Sequence, residues 1–141
     1  MPYADNQGIR VHYKVEGEGP PLVLQHGSTS SIQAWYQNGY VEPLKPHYQL
    51  ILVDARGHGA SDKPHDAVSY ALPFALPLRV SDIVAVLDDL GIQKAHYWGY
   101  SMGGWIGFGL NLTALIITPC CEGTRNRGPW RAGRVGSLSS N

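Results

Sequence analysis

The sequence predicts an α/β fold built on a mostly parallel sheet, and three observations carry that expectation. Predicted strands and helices alternate along residues 1–110, the order that gives a parallel sheet with right-handed crossovers. Tyr48 to Val53 is a continuous apolar run ending at Asp54, as in a strand covered on both faces. Gly99-Tyr100-Ser101-Met102-Gly103 follows a predicted strand and opens a predicted helix.

The elements follow in order. Ile9 to Val15 alternates and then meets the turn Glu16 to Pro20, which reads as an antiparallel strand or hairpin arm. Pro21 to Gln25 is a short buried strand. Ser31 to Leu44 places Ile32, Trp35, Tyr36, Tyr40 and Leu44 at helical spacing, with Ser30 or Ser31 as cap and Pro43 near the end. Tyr48 to Val53 is a central parallel strand. Val80, Ile83, Val84, Leu87 and Leu90 share one face of a helix that stops at Gly91. Before it, Ala71-Leu72-Pro73-Phe74 is echoed by Ala75-Leu76-Pro77-Leu78, a duplication read as a lengthened loop because its two prolines oppose a continuous helix. Lys94 to Trp98 is a strand, expected at the sheet centre, and Met102 to Leu110 a helix. Leu112 to Thr118 resembles a further strand, although Asn111 alone is too short to join it to that helix when such loops take about 2–6 residues.

Composition narrows the function. The chain has 141 residues, 43% hydrophobic and 16% charged, which fits one domain with a buried core. Eleven basic residues balance eleven acidic ones, so no nucleic-acid or anionic-membrane partner is implied. Residues 1–110 hold seven basic and ten acidic side chains, whereas 111–141 hold four Arg and only Glu122. The segment 119–141 is Gly-, Ser- and Arg-rich and reads as a disordered tail on a core of residues 1–118; four scattered Arg without an aromatic ladder do not make a nucleic-acid arm. Cys120 and Cys121 are adjacent, which offers neither a disulfide framework nor metal-ligand spacing. With no signal-peptide pattern at the start and no apolar run of about 20 residues, the expected location is cytoplasmic. No cofactor or metal is expected.

The chemistry centres on Ser101. A strand-to-helix elbow needs small neighbours because the turn is sharp, so Gly99 and Gly103 remove side chains that would collide, and Gly104 extends the clearance. Ser101 is then lifted out at a helix N-terminus, where amides favour an oxyanion. The backbone N–H of Met102 is one natural donor. The second should come from the loop after an earlier strand, where His26-Gly27-Ser28 stands, and the Ser28 N–H is the choice. His26 as a base is outweighed by a role in bonding its loop backbone. Asp54, Arg56, Gly57, His58, Gly59 and Ser61 form a glycine-rich turn in which Asp54 and His58 read as structural.

Taken together and in this order, H-G-S, D-x-R-G-H-G-x-S and G-Y-S-M-G-G resemble the α/β-hydrolase superfamily over about Gly8 to Leu110, and look like its serine esterases and lactonases. The resemblance implies Ser101 as nucleophile, the Ser28 and Met102 amides as oxyanion hole, and a small ester or lactone as substrate. Haloalkane dehalogenases and epoxide hydrolases carry Asp at the elbow, where this chain has Ser101. The family's acid and His follow the nucleophile. Here all six histidines precede Ser101 and Glu122 is the single acidic residue after it, hence the candidate acid. The fold is therefore expected to be incomplete, lacking C-terminal strands and helices, and turnover to be impaired. The alternative is a noncatalytic remnant that binds a partner or self-associates through an open sheet edge.

Overall fold

The computed structural model describes residues 2–66, 69–70 and 75–112. The strands are β1 (Tyr3–Asn6), β2 (Ile9–Glu16), β3 (Pro21–Gln25), β4 (Gln49–Val53) and β5 (His96–Gly99); the helices are α1 (Gln33–Gln37), α2 (Val41–Leu44), α3 (Ala75–Asp89) and α4 (Met102–Leu112). The sheet order is β1-β2-β4-β3-β5. β3 runs parallel to both β4 and β5, while the β1–β2 hairpin joins β4 antiparallel. The described sheet is thus mixed.

Both faces of the parallel part are covered, as its apolar runs require. Leu50, Ile51, Leu52 and Val53 are all fully buried, and their alternation divides the core in two. Val23, Ile51, Val53 and Tyr97 pack with Val80, Ile83, Val86 and Leu87 of α3 and with Ile106 and Leu110 of α4. On the other face Leu22, Leu24, Leu50 and Leu52 pack with Ile32, Trp35 and Val41. A buried leucine or isoleucine contributes about 1.5–3 kcal/mol, so these two layers dominate the fold's stability.

Several expectations are corrected. The single helix over Ser31 to Leu44 is two short ones, because Gly39 adopts φ +76° between them, a conformation that ends a helical run. The α1 cap position is Ile32, although Ser31 Oγ accepts the Gln33 N–H at 3.2 Å. Helix α3 begins at Ala75, so the second copy of the duplication is helical rather than loop. Pro77 fits there because the first four N–H groups of a helix have no intrahelical acceptor. β5 pairs only with β3 among the described residues and so stands at the end of the described sheet; β4 is central. β1 was not anticipated. Asn111 and Leu112 belong to α4 rather than to a linker and a strand. The remainder of that predicted strand, the tail 119–141, Cys120, Cys121 and Glu122 lie outside the described residues.

Candidate active site

The elbow forms where β5 ends. Ser101 lies in the left-handed region at φ +53°, a strained conformation for a residue with a Cβ. Three hydrogen bonds hold it there. The Tyr100 N–H reaches back to the Gln25 carbonyl at 3.0 Å, the Gly103 N–H bonds the Tyr100 carbonyl at 2.9 Å, and the Trp105 N–H bonds the Ser101 carbonyl at 3.1 Å. Beneath them the buried Tyr97 hydroxyl donates to the Gly103 carbonyl at 2.8 Å. A Cβ on Gly99 would collide with the backbone of Gly103, and one on Gly103 with the carbonyls of Gln25 and His26. The two glycines are therefore what allows strand, turn and neighbouring loop to close on one another.

The same closeness brings the loop after β3 to Ser101. A Cβ placed on Gly27 would lie 3.2 Å from the Ser101 Cβ. Ser28 follows it, exposed, as is Ser101. Among the described residues the backbone N–H groups of Ser28 and Met102 have no acceptor, and the Ser101 hydroxyl has no hydrogen-bond partner.

Histidines shape this loop. His26 is buried; its Nδ1–H donates to the Gly27 carbonyl at 2.7 Å and its Nε2 accepts the Ala55 N–H at 3.0 Å. Burial lowers its pKa, so it stays neutral with both nitrogens engaged. His58 accepts the Thr29 N–H at 3.2 Å on Nε2 and faces the Arg56 carbonyl through Nδ1 at 3.1 Å. That bond holds Thr29 at φ +58°, just beyond Ser28. Both rings secure the loop, and neither has a nitrogen left to serve as a base.

Asp54 organises the turn beyond β4. Its Oδ1 accepts the Ile32 N–H at 2.9 Å; its Oδ2 accepts the Ala60 N–H at 3.1 Å and faces His12 Nδ1 at 2.8 Å. Gly59 sits so close that a Cβ there would strike the carboxylate. Arg56 is clamped by Asp82 through two 2.7 Å bonds, both side chains buried. His96 opens β5, at the far end of that strand from Ser101. Sequence reasoning placed Ser101 on the strand-to-helix elbow, Ser28 in the loop after β3, and His26 and His58 in positions that secure their loops, as the structure has them. It missed the Tyr97 prop, whose only signal is a tyrosine at a buried strand position, and Arg79, which no motif marks. Among the described residues no cluster of His, Cys, Asp or Glu could hold a metal ion, and no helix is long and apolar enough to cross a membrane.

A doubly covered sheet whose strand ends in a strained serine and runs straight into a helix defines the hydrolase class of α/β proteins. The family model of the alpha/beta hydrolase fold matches residues 20–112, and the chain belongs to that family. It is 35% identical over 112 residues to the cis-3-alkyl-4-alkyloxetan-2-one decarboxylase of Shewanella oneidensis, covering 76% of this chain and 32% of that protein. It is 31% identical over 131 residues to a putative 2-succinyl-6-hydroxy-2,4-cyclohexadiene-1-carboxylate synthase of Bacillus subtilis, covering 86% and 45%. The solved structure of Est816, an N-acyl homoserine lactone degrading enzyme, superposes with a TM-score of 0.71 at 35% identity, covering 83% of this chain and 42% of that one. The chain thus spans about a third to under half the length of these relatives.

Proposed function

We propose that the chain carries the nucleophile-bearing part of a serine hydrolase acting on a carboxylic ester or lactone. The observation that supports this most directly is the strained, exposed Ser101 with two acceptor-free backbone N–H groups on the segments that flank it. In this reading the Ser101 Oγ adds to the substrate carbonyl carbon. The carbonyl oxygen, now an oxyanion, accepts from the Ser28 and Met102 N–H groups at the start of α4. The carbonyl–alkoxy bond then breaks, releasing an alcohol or opening the lactone, and water hydrolyses the acyl-serine to the acid. Est816 is named for a lactone and the Shewanella relative for an oxetan-2-one, which is also a cyclic ester. Relatives named for decarboxylation and for synthesis show why fold alone does not choose the substrate.

No described histidine hydrogen-bonds Ser101, so in this reading the proton that the Ser101 hydroxyl releases on attack goes to water. A serine hydroxyl without a neighbouring base is a weak nucleophile at neutral pH, and the 141-residue chain is expected to turn over slowly. Hydrolysis of nitrophenyl acetate should be barely above background and should fall further in Ser101→Ala. Robust turnover that survives Ser101→Ala would overturn the reading. A noncatalytic, self-associating role is the second reading, favoured by Trp105 and Phe108 on α4, which are 64% and 56% exposed, and by β5 at the end of the described sheet. Sedimentation that stays monomeric at high concentration would dispose of it.

A further inference from the structure

Arg79 differs from the buried Arg56 in what its guanidinium meets. Arg56 spends its guanidinium on the Asp82 carboxylate. Arg79, on the first turns of α3, has no carboxylate within ion-pair distance among the described residues. Its Nε is buried without an acceptor, and its Nη1 donates to the Met102 thioether at 3.2 Å, a weak acceptor. A half-buried cation without a counter-ion bears a desolvation cost that an anion would offset. Burial and the neighbouring Arg56 charge both lower its pKa, in keeping with that missing partner. A guanidinium nonetheless remains protonated.

Position gives this cation a use. Met102 directly follows Ser101, so Nη1 lies one methionine side chain from the N–H assigned to the oxyanion hole. The Arg79 charge also reaches His26, at the base of the loop that carries Ser28. We propose that Arg79 is a substrate-binding residue that takes a carboxylate carried by the ester or lactone a few bonds from its reacting carbonyl. The carboxylate exchanges the sulfur contact for charge-assisted bonds to the guanidinium, which favours carboxylates by its planar fork. The assignment deepens the hydrolase reading and rests on it for the word substrate, whereas the anion site itself does not need a reactive Ser101.

The test uses the full 141-residue chain with Ser101→Ala, to prevent turnover, and two probes of similar shape: monomethyl succinate, an anionic ester, and dimethyl succinate, its neutral counterpart. Titration followed by NMR should show saturable binding of the monoester, shift the Arg79 Nε–H resonance, and be at least tenfold weaker for the diester. Arg79→Gln should weaken the monoester at least tenfold, and Arg79→Lys by less. Equal binding of both probes, undiminished binding in Arg79→Gln, or an Arg79 resonance that stays still would overturn the proposal. If Arg79→Gln does not fold, Arg79→Lys and the resonance of the unsubstituted arginine decide. Labelling of the native chain by a neutral fluorophosphonate separates the two claims: an unlabelled Ser101 with intact monoester binding sinks the nucleophile and leaves the anion site standing.

Discussion

Replacing Ser101 by glycine should stabilise the chain. At φ +53° a side chain crowds the following carbonyl, at a cost of about 1–2 kcal/mol for a residue with a Cβ. Glycine escapes that strain but adds unfolded-state freedom costing about 0.4–1 kcal/mol. The difference leaves a net gain near 1 kcal/mol, since the Ser101 hydroxyl has no described partner to lose. For a domain of this size that is a rise in Tm of roughly 4 °C. Ser101→Ala keeps both Cβ and strain, so it should stay within about 0.5 kcal/mol of the native chain. Urea denaturation followed by far-UV circular dichroism, with native, Ser101→Ala and Ser101→Gly chains in parallel, isolates the backbone term. A glycine variant no more stable than the alanine one would refute the claim that strain is stored at the elbow.

Asp82→Ala should destabilise by about 3–5 kcal/mol, because it leaves Arg56 buried and unpaired and removes one of the two acceptors of Asn6 Nδ2; a loss under about 1 kcal/mol in denaturant melts would contradict this. Gly103→Ala should cost more than about 3 kcal/mol through backbone collision, whereas Gly39→Ala, at φ +76° but facing open space, should cost about 1 kcal/mol; equal losses would show that crowding at the elbow is misjudged. Acidification should destabilise the fold. The His26 pKa lies below its ordinary 6.5 in the folded chain, so the unfolded chain binds the extra proton, and stability held above pH 6.5 is lost as pH falls below it. His96, also lowered by burial, adds to the same slope. His26→Gln should therefore reduce the change in urea midpoint between pH 7.5 and 5.5, and an unchanged slope would count against the assignment.

Where local chemistry and tertiary demand agree, the sequence was readable. The apolar runs of β3 and β4 and the amphipathic face of α3 are each dictated by which side is buried, and the glycines of the elbow by lack of room. β1 escaped notice because Tyr3–Asn6 is short and its turn carries Gln7 and Gly8, both at positive φ, where Asn-Gly or Asp-Gly would have announced the hairpin. The start of α3 was hidden by Pro77, read as a breaker although the first turn tolerates it. At the site, the places of Ser101 and Met102 at the elbow and of Ser28 in the loop after β3 follow from spacing. The unpaired state of Arg79 could not, since it depends on Asp82 being taken by Arg56, a choice made only in three dimensions.

The way the N-terminal hairpin is fastened has a kinetic consequence. Asn6 bonds Ser81 and Asp82 on α3 across 75 and 76 positions of chain, and the Tyr13 hydroxyl donates to Asp89 at 2.6 Å, also across 76. The hairpin is thus fastened to the helical layer only once α3 has emerged, although β4 and the turn from Asp54 to Asp62 hold it earlier. Closing loops of that length precedes any gain from the contacts they bring, which slows folding relative to a chain of local contacts. Until then β2 is held between β1 and β4, and β1 has only its hairpin partner. A nascent chain stopped short of Ser81 would hold the loop motifs of the first two parallel strands and yet leave the hairpin without its helix contacts.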